Sequence, residues 1–159
     1  VFSVEIKGKE ELIRRFISSP QLIQKHFVPA MQKSVHLLEG EIKKNTPVGV
    51  AGQLRSSIGT EVKSLGGGVR GIVGSPLSYA PYVEEGTKPH FPPVSALERW
   101  CELKLGDRRL AFVVARAISR RGTKAVKMFE RGVEAKKEEV FAFFRQALIN
   151  LVRDLGEGL

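Results

Sequence analysis

The stretch Ile58-Gly59-Thr60-Glu61-Val62-Lys63-Ser64-Leu65-Gly66-Gly67-Gly68-Val69-Arg70-Gly71-Ile72-Val73 holds two short β-rich runs either side of three consecutive glycines. Glycine adopts positive φ without a Cβ clash, so Leu65–Gly68 reads as the tip of a hairpin with strands Ile58–Ser64 and Val69–Val73. A lone hairpin does not bury enough surface to fold by itself. The rest of the chain must therefore cover it, and on both sides the pattern is helical.

Upstream, Phe2, Val4 and Ile6 alternate with Ser3 and Glu5, which predicts a third strand ending at Gly8. Leu12, Ile13, Phe16 and Ile17 repeat at helical spacing up to Ser19-Pro20. A longer helical pattern follows from Leu22 to Lys44. Pro29 interrupts it; lacking an N–H and crowding the preceding turn, it is expected to sit in the first turn of a separate second helix. Asn45 to Gly52 has loop composition.

Downstream, Ser75–Pro93 reads as an ordered but irregular segment rich in Pro, Gly and aromatics. Ser95 with Glu98 three residues on is a capping-box pattern that opens a helix carrying Leu97, Trp100, Cys101 and Leu105. Gly106-Asp107 breaks and recaps the chain. Leu110, Val113, Val114, Ala117 and Ile118 form the apolar side of the next helix, which stops at Gly122. A final long helix presents Val133, Val140, Phe141, Phe144, Leu148, Leu151, Val152 and Leu155, with Gly156 past its end. The expected fold is α+β, a small antiparallel sheet of the N-terminal strand and the central hairpin packed with several α-helices. With 159 residues the chain is expected to be a single domain, residues 1–159.

Composition narrows the function classes. Hydrophobic residues are 42% and charged residues 27%, enough for a core and against bulk disorder. No apolar run reaches the ~18–20 residues of a bilayer span, and no basic-then-apolar leader is visible, so a soluble protein of a reducing compartment, with no membrane partner, is expected. The single Cys101 excludes an internal disulfide and any multi-cysteine metal site. His26, His36 and His90 show no metal-binding spacing, Cys101 lies on an apolar helix side, Glu84-Glu85 face different ways, and no phosphate-binding glycine loop is present. No catalytic, cofactor or metal site is therefore expected, and no enzyme.

The net charge is +9, and it is concentrated. Lys104 to Arg131 holds nine basic residues and two acidic ones, Asp107 and Glu130. Arg109, Arg116 and Arg120 fall at i, i+7 and i+11, aligned on one side of the predicted helix without acids at i±4. That face reads either as a solvated helix surface or as one facing DNA or a protein partner. The stretch has few aromatics, so base-specific readout is unsupported, while nonspecific phosphate contact stays open.

One segment is distinctive: Tyr79-Ala80-Pro81-Tyr82-Val83-Glu84-Glu85-Gly86-Thr87, preceded by Thr46-Pro47-Val48 and Gly52-Gln53-Leu54-Arg55-Ser56-Ser57-Ile58. Together these resemble the tail-component family of long-tailed double-stranded DNA phages, the neck or tail-completion proteins akin to the Z protein of phage lambda. That family's pattern is Pro-Val-Asp-Thr-Gly-x-Leu-Arg-x-Ser-Ile, a hairpin, then Tyr-Ala-x-Tyr-Val-Glu-x-Gly-Thr. Gly49-Val50-Ala51 replaces the Asp-Thr, and an insert of two helices at about 88–121 separates Thr87 from the resumed pattern at Arg121-Gly122-Thr123.

The resemblance implies a virion structural protein at the head–tail junction or tail end, made in the host cytoplasm. It would form a ring of six copies around the DNA passage, next to other connector or tail proteins and in nonspecific contact with packaged DNA. The alternative is a nonspecific DNA-binding module acting through residues 104–131. Candidate interface or motif residues are Leu54, Arg55, Tyr79, Tyr82, Glu84, Gly86 and Thr87; the candidate basic face is Arg109, Arg116 and Arg120. The tyrosines suit an interface, and Gly86 suits a conformation closed to other residues. Glu84 is expected to accept from backbone or from an Arg such as Arg55. The motif reads either as a pin within one subunit or as a subunit contact.

Overall fold

A computed structural model describes residues 18–65 and 68–156, together with Arg14. The expected N-terminal strand at Phe2–Ile6 and most of the first short helix lie outside the described residues. The order of elements is α1 (Pro20–Asn45), α2 (Gln53–Ser57), β1 (Gly59–Leu65), β2 (Gly68–Gly74), α3 (Ala80–Glu85), α4 (Val94–Leu105), a 3₁₀ turn (Arg108–Leu110), α5 (Ala111–Arg121) and α6 (Met128–Gly156). β1 and β2 pair as an antiparallel hairpin, and the fold is α+β with a long C-terminal helix.

The chain divides into two compact units. The first comprises residues 1–37, 60–73 and 136–159, and the second residues 38–59 and 74–135. In the first, Ala30, Ser34 and Val35 of α1 and Ala147, Leu151 and Leu155 of α6 are buried. The Phe27 and Phe144 rings lie 6.1 Å apart, tilted by 34°. Gly71 of β2 sits close on α1: a Cβ there would lie 2.4 Å from Met31 Sδ and 2.6 Å from Val35 Cγ1. The missing side chain is what lets the hairpin approach the helix. Asp154 accepts from Lys25 Nζ at 2.7 Å and pairs with His26 Nε2 at 2.8 Å. The Lys25 bond, then the His26 bond, holds its carboxyl below the ordinary carboxylate range.

Three expectations change. α1 continues through Pro29 as one helix of 26 residues rather than restarting there. A mid-helix proline costs about 3 kcal/mol, but Phe27, half-buried against Phe144, stays on the same side as the buried Ala30 and Ser34, at i, i+3 and i+7, only if the helix runs on through Pro29. α4 begins at Val94, with Pro93 as its cap residue and no side-chain cap bond. Ser95 is thus inside the helix, and Glu98 pairs instead with Arg108. The irregular segment contains α3, because Pro81 falls in the first helical turn, where its missing N–H costs nothing.

In α5 the buried residues are Ala111 and Ala115, while Val113 and Phe112 face solvent. In α6 the expected face is also split: Leu151 and Leu155 are buried, whereas Val133, Phe141, Leu148 and Val152 are exposed. Both helices therefore carry exposed apolar residues as well as buried ones.

Candidate functional site

All the sequence-predicted residues lie in the second unit, between the end of α1 and the start of α6. Two close approaches fix its frame. Gly132 of α6 packs on α1, where a Cβ would meet Ile42 Cγ1 at 2.5 Å and its Cα at 3.2 Å. Thr46, just past α1, is buried; its Oγ1 donates to the Ile42 carbonyl at 2.7 Å and lies 3.4 Å from the buried Met128 Sδ.

Arg55 on α2 donates through Nη2 and Nε to the Thr46 carbonyl, at 2.7 and 3.3 Å. A guanidinium beside the last carbonyls of α1 complements the negative end of that helix. Its partner is therefore a helix terminus and not Glu84. Leu54 is buried beside it. The glycine of the upstream motif, Gly52, has φ +67 and caps the start of α2, and its N–H closes a turn on the Val48 carbonyl at 2.7 Å. Ser57 Oγ donates to the Leu54 carbonyl at 2.8 Å and shares a hydrogen bond with Ser75 Oγ at 2.7 Å.

The Glu84 carboxylate accepts from the backbone N–H groups of Phe129, at 3.0 Å, and Glu130, at 3.1 Å. These are the second and third residues of α6, whose first-turn donors have no partner inside the helix. The residue at the cap position is Lys127, whose carbonyl accepts from Arg131 N–H at 2.9 Å. Lysine has no acceptor to offer, so Glu84 supplies the cap from 45 residues away. Main-chain bonds reinforce the join: Val126 N–H to the Val83 carbonyl at 3.0 Å and Lys127 N–H to the Glu84 carbonyl at 3.1 Å. Lys127 itself takes φ +58, unusual for a side chain that is not glycine. Its ammonium reaches Glu85 at 2.8 Å and Glu130 at 3.1 Å, and these bonds, Glu85 first, raise its pKa.

Thr87 and Thr123 form an antiparallel bridge, exchanging N–H to carbonyl bonds of 3.2 Å each, with their hydroxyls 3.0 Å apart. The residue before each threonine is a glycine in a conformation reserved for glycine: Gly86 at φ +75, ψ −176 and Gly122 at φ +68, ψ −161. A Cβ on Gly86 would lie 2.4 Å from the Thr123 carbonyl oxygen, and one on Gly122 only 1.8 Å from that of Thr87. The two strands of the bridge touch backbone to backbone. Residues 88–122, with α4, the 3₁₀ turn and α5, run from one strand of this bridge to the other, which makes the bridge the neck of that segment.

Tyr79 and Tyr82 behave differently. They are 41% and 63% exposed, Tyr79 at the cap position of α3 and Tyr82 within it. Tyr79 borders a groove of about 300 Å³ with Pro47, Val48, Leu54 and Val83. Tyr82 borders one of about 700 Å³ with Gly86, Thr87, Pro89 and His90. The segment thus points Glu84, Gly86 and Thr87 inward and holds two tyrosines out.

Residues 10–86 match the HK97-gp10_like family model, described as "Bacteriophage HK97-gp10, putative tail-component". Over that span, a little under half of the chain, the sequence is similar to this phage tail-component family. No curated protein and no solved structure matches the chain. The family match supports a structural role in the virion. The tail-component match ends at Gly86, at the neck, and residues 88–122 lie beyond it.

The basic residues do not form one stripe. Arg109 lies in the 3₁₀ turn ahead of α5, and its guanidinium is held by Asp107 through bonds of 3.0 and 3.1 Å. The Arg109 hydrogen bonds in turn lower the Asp107 pKa. Arg108 is paired with Glu98 and its pKa is raised by that bond. Arg116 and Arg120 remain on α5, exposed and without an ion pair among the described residues. The i±4 rule missed the Arg109 pair because Asp107 sits two residues away, outside the helix. Among the described residues no group of three metal-ligating side chains occurs.

Proposed function

We propose that this tail component is a neck or tail-completion protein. It assembles as a ring of six copies around the DNA passage and works as structure without catalysis. The observation that carries this reading is the division within Tyr79–Thr87. Glu84 and Gly86 hold the unit together, so they leave Tyr79 and Tyr82 on a rigid, outward-facing turn. Half-exposed aromatics on a fixed backbone lose little conformational entropy on docking and are favoured at protein interfaces. A second reading, a nonspecific DNA-binding module on residues 104–131, is favoured by Arg116 and Arg120 standing without acidic partners.

Cryo-electron microscopy of particles of the phage encoding this chain tests the first reading. The expected result is a closed sixfold ring at the head–tail junction or tail end, with Tyr79 and Tyr82 buried between subunits. A chain found elsewhere in the particle, or a ring with both tyrosines open to solvent, would contradict it.

A further inference from the structure

Residues 88–122 keep their bonds to themselves. α4 packs on the 3₁₀ turn and on α5. Arg108 pairs with Glu98, Asp107 holds Arg109, and the Phe91 and Phe112 rings meet edge to face 6.2 Å apart. The buried residues of the segment, Cys101, Ala111 and Ala115, are all small. Pro89 and His90 border the Tyr82 groove, but the His90 ring bonds the Lys88 carbonyl. Among the described residues, no hydrogen bond or ion pair joins residues 88–122 to another part of the chain.

The bridge that holds the two ends has the geometry of a hairpin's last pair. Thr87 and Thr123 exchange both N–H to carbonyl bonds, which is the pairing that a two-residue turn closes. The tripeptide Gly-Thr-Lys stands on both sides of it, at Gly86–Lys88 and again at Gly122–Lys124. One residue between Thr87 and Gly122 would complete a turn where a helical segment now stands, and a shorter connection costs less closure entropy. The joins that brace the unit all lie outside the segment: Val126 to Val83, Lys127 to Glu84, and the Glu84 cap on α6. Tyr79 and Tyr82 also precede it. We infer that residues 88–122 are an appended module, which opens independently of these joins, and that the chain folds and assembles through its other residues. The assembly half rests on the virion role proposed above.

Native-state hydrogen exchange of the full chain tests the first half. The amides of α4 and α5 should exchange through one shared opening, with protection at least about tenfold below that of Val126 and Lys127. Protection equal to theirs would make the segment part of one cooperative body and overturn the inference. The second half is tested with a single asparagine in place of residues 88–121, so that Asn-Gly forms the turn between Thr87 and Thr123. Exchange at Phe129 and Glu130 should stay within about threefold of the parent, and phage particles should take up this chain at the parental copy number. An unfolded chain, faster exchange at those two amides, or a folded chain missing from particles would each overturn the inference. Absence of the parent itself from particles would overturn the virion role and the assembly half with it, while the exchange measurements still decide the folding half.

Discussion

Replacing Gly122 by alanine is expected to destabilise the second unit by about 3 kcal/mol or more. The backbone region it occupies costs other residues of order 1–3 kcal/mol. The new methyl would also lie 1.8 Å from the Thr87 carbonyl oxygen, so the bridge must open. Each lost backbone hydrogen bond adds about 0.5–1.5 kcal/mol. Gly106→Ala is the control. Gly106 has φ +78, but a Cβ there meets nothing within 4 Å, so only the left-handed penalty of about 1–2 kcal/mol applies. Chemical denaturation of the three proteins should rank Gly122→Ala well below Gly106→Ala. Equal losses would mean that the neck is not a close backbone contact.

The second large effect is expected at Glu84. Glu84→Ala leaves the N–H groups of Phe129 and Glu130 without their acceptor and removes a negative charge from the positive end of a 29-residue helix. Loss of a cap costs about 0.5–2 kcal/mol, and stranding a partly buried donor adds to it, so about 2 kcal/mol is expected. Glu84→Gln keeps one acceptor oxygen and should lose roughly half as much. Hydrogen exchange at Phe129 and Glu130 should quicken in the Ala variant more than at buried positions in mid-α6. Unchanged exchange at these two amides would show that Glu84 is not their cap.

How far the sequence alone reaches differs from element to element. The hairpin was legible to within a residue because β-rich runs and a glycine tip are local signals. So was the end of α5 at Gly122. The continuity of α1 was not, because Pro29 gives a strong local signal against it. What overrides that signal is packing on both sides of Pro29, Phe27 against Phe144 before it and Ala30 and Ser34 after it, and pairwise packing leaves no local mark.

The candidate site divides the same way. Gly86 announces a special backbone, and two tyrosines announce a surface. That Glu84 caps α6 follows from a 45-residue separation that no spacing rule spans. A lysine at the cap position of α6, with nothing to accept a hydrogen bond, is the one sequence clue that the cap must come from elsewhere. The basic stripe failed at Arg109 because its alignment presumed a helix where a 3₁₀ turn stands.

On the proposed function, Tyr79–Thr87 braces the unit with its inward residues and makes contacts with its outward ones. Tyr82→Ala tests it most directly, read both as thermal stability of the isolated protein and as copies incorporated per phage particle. The exposed ring predicts a melting temperature within about 2 °C of the parent, a surface change being within about 0.5 kcal/mol, together with loss of most incorporation. A large drop in melting temperature with normal incorporation would contradict it, and would make the tyrosine part of the brace.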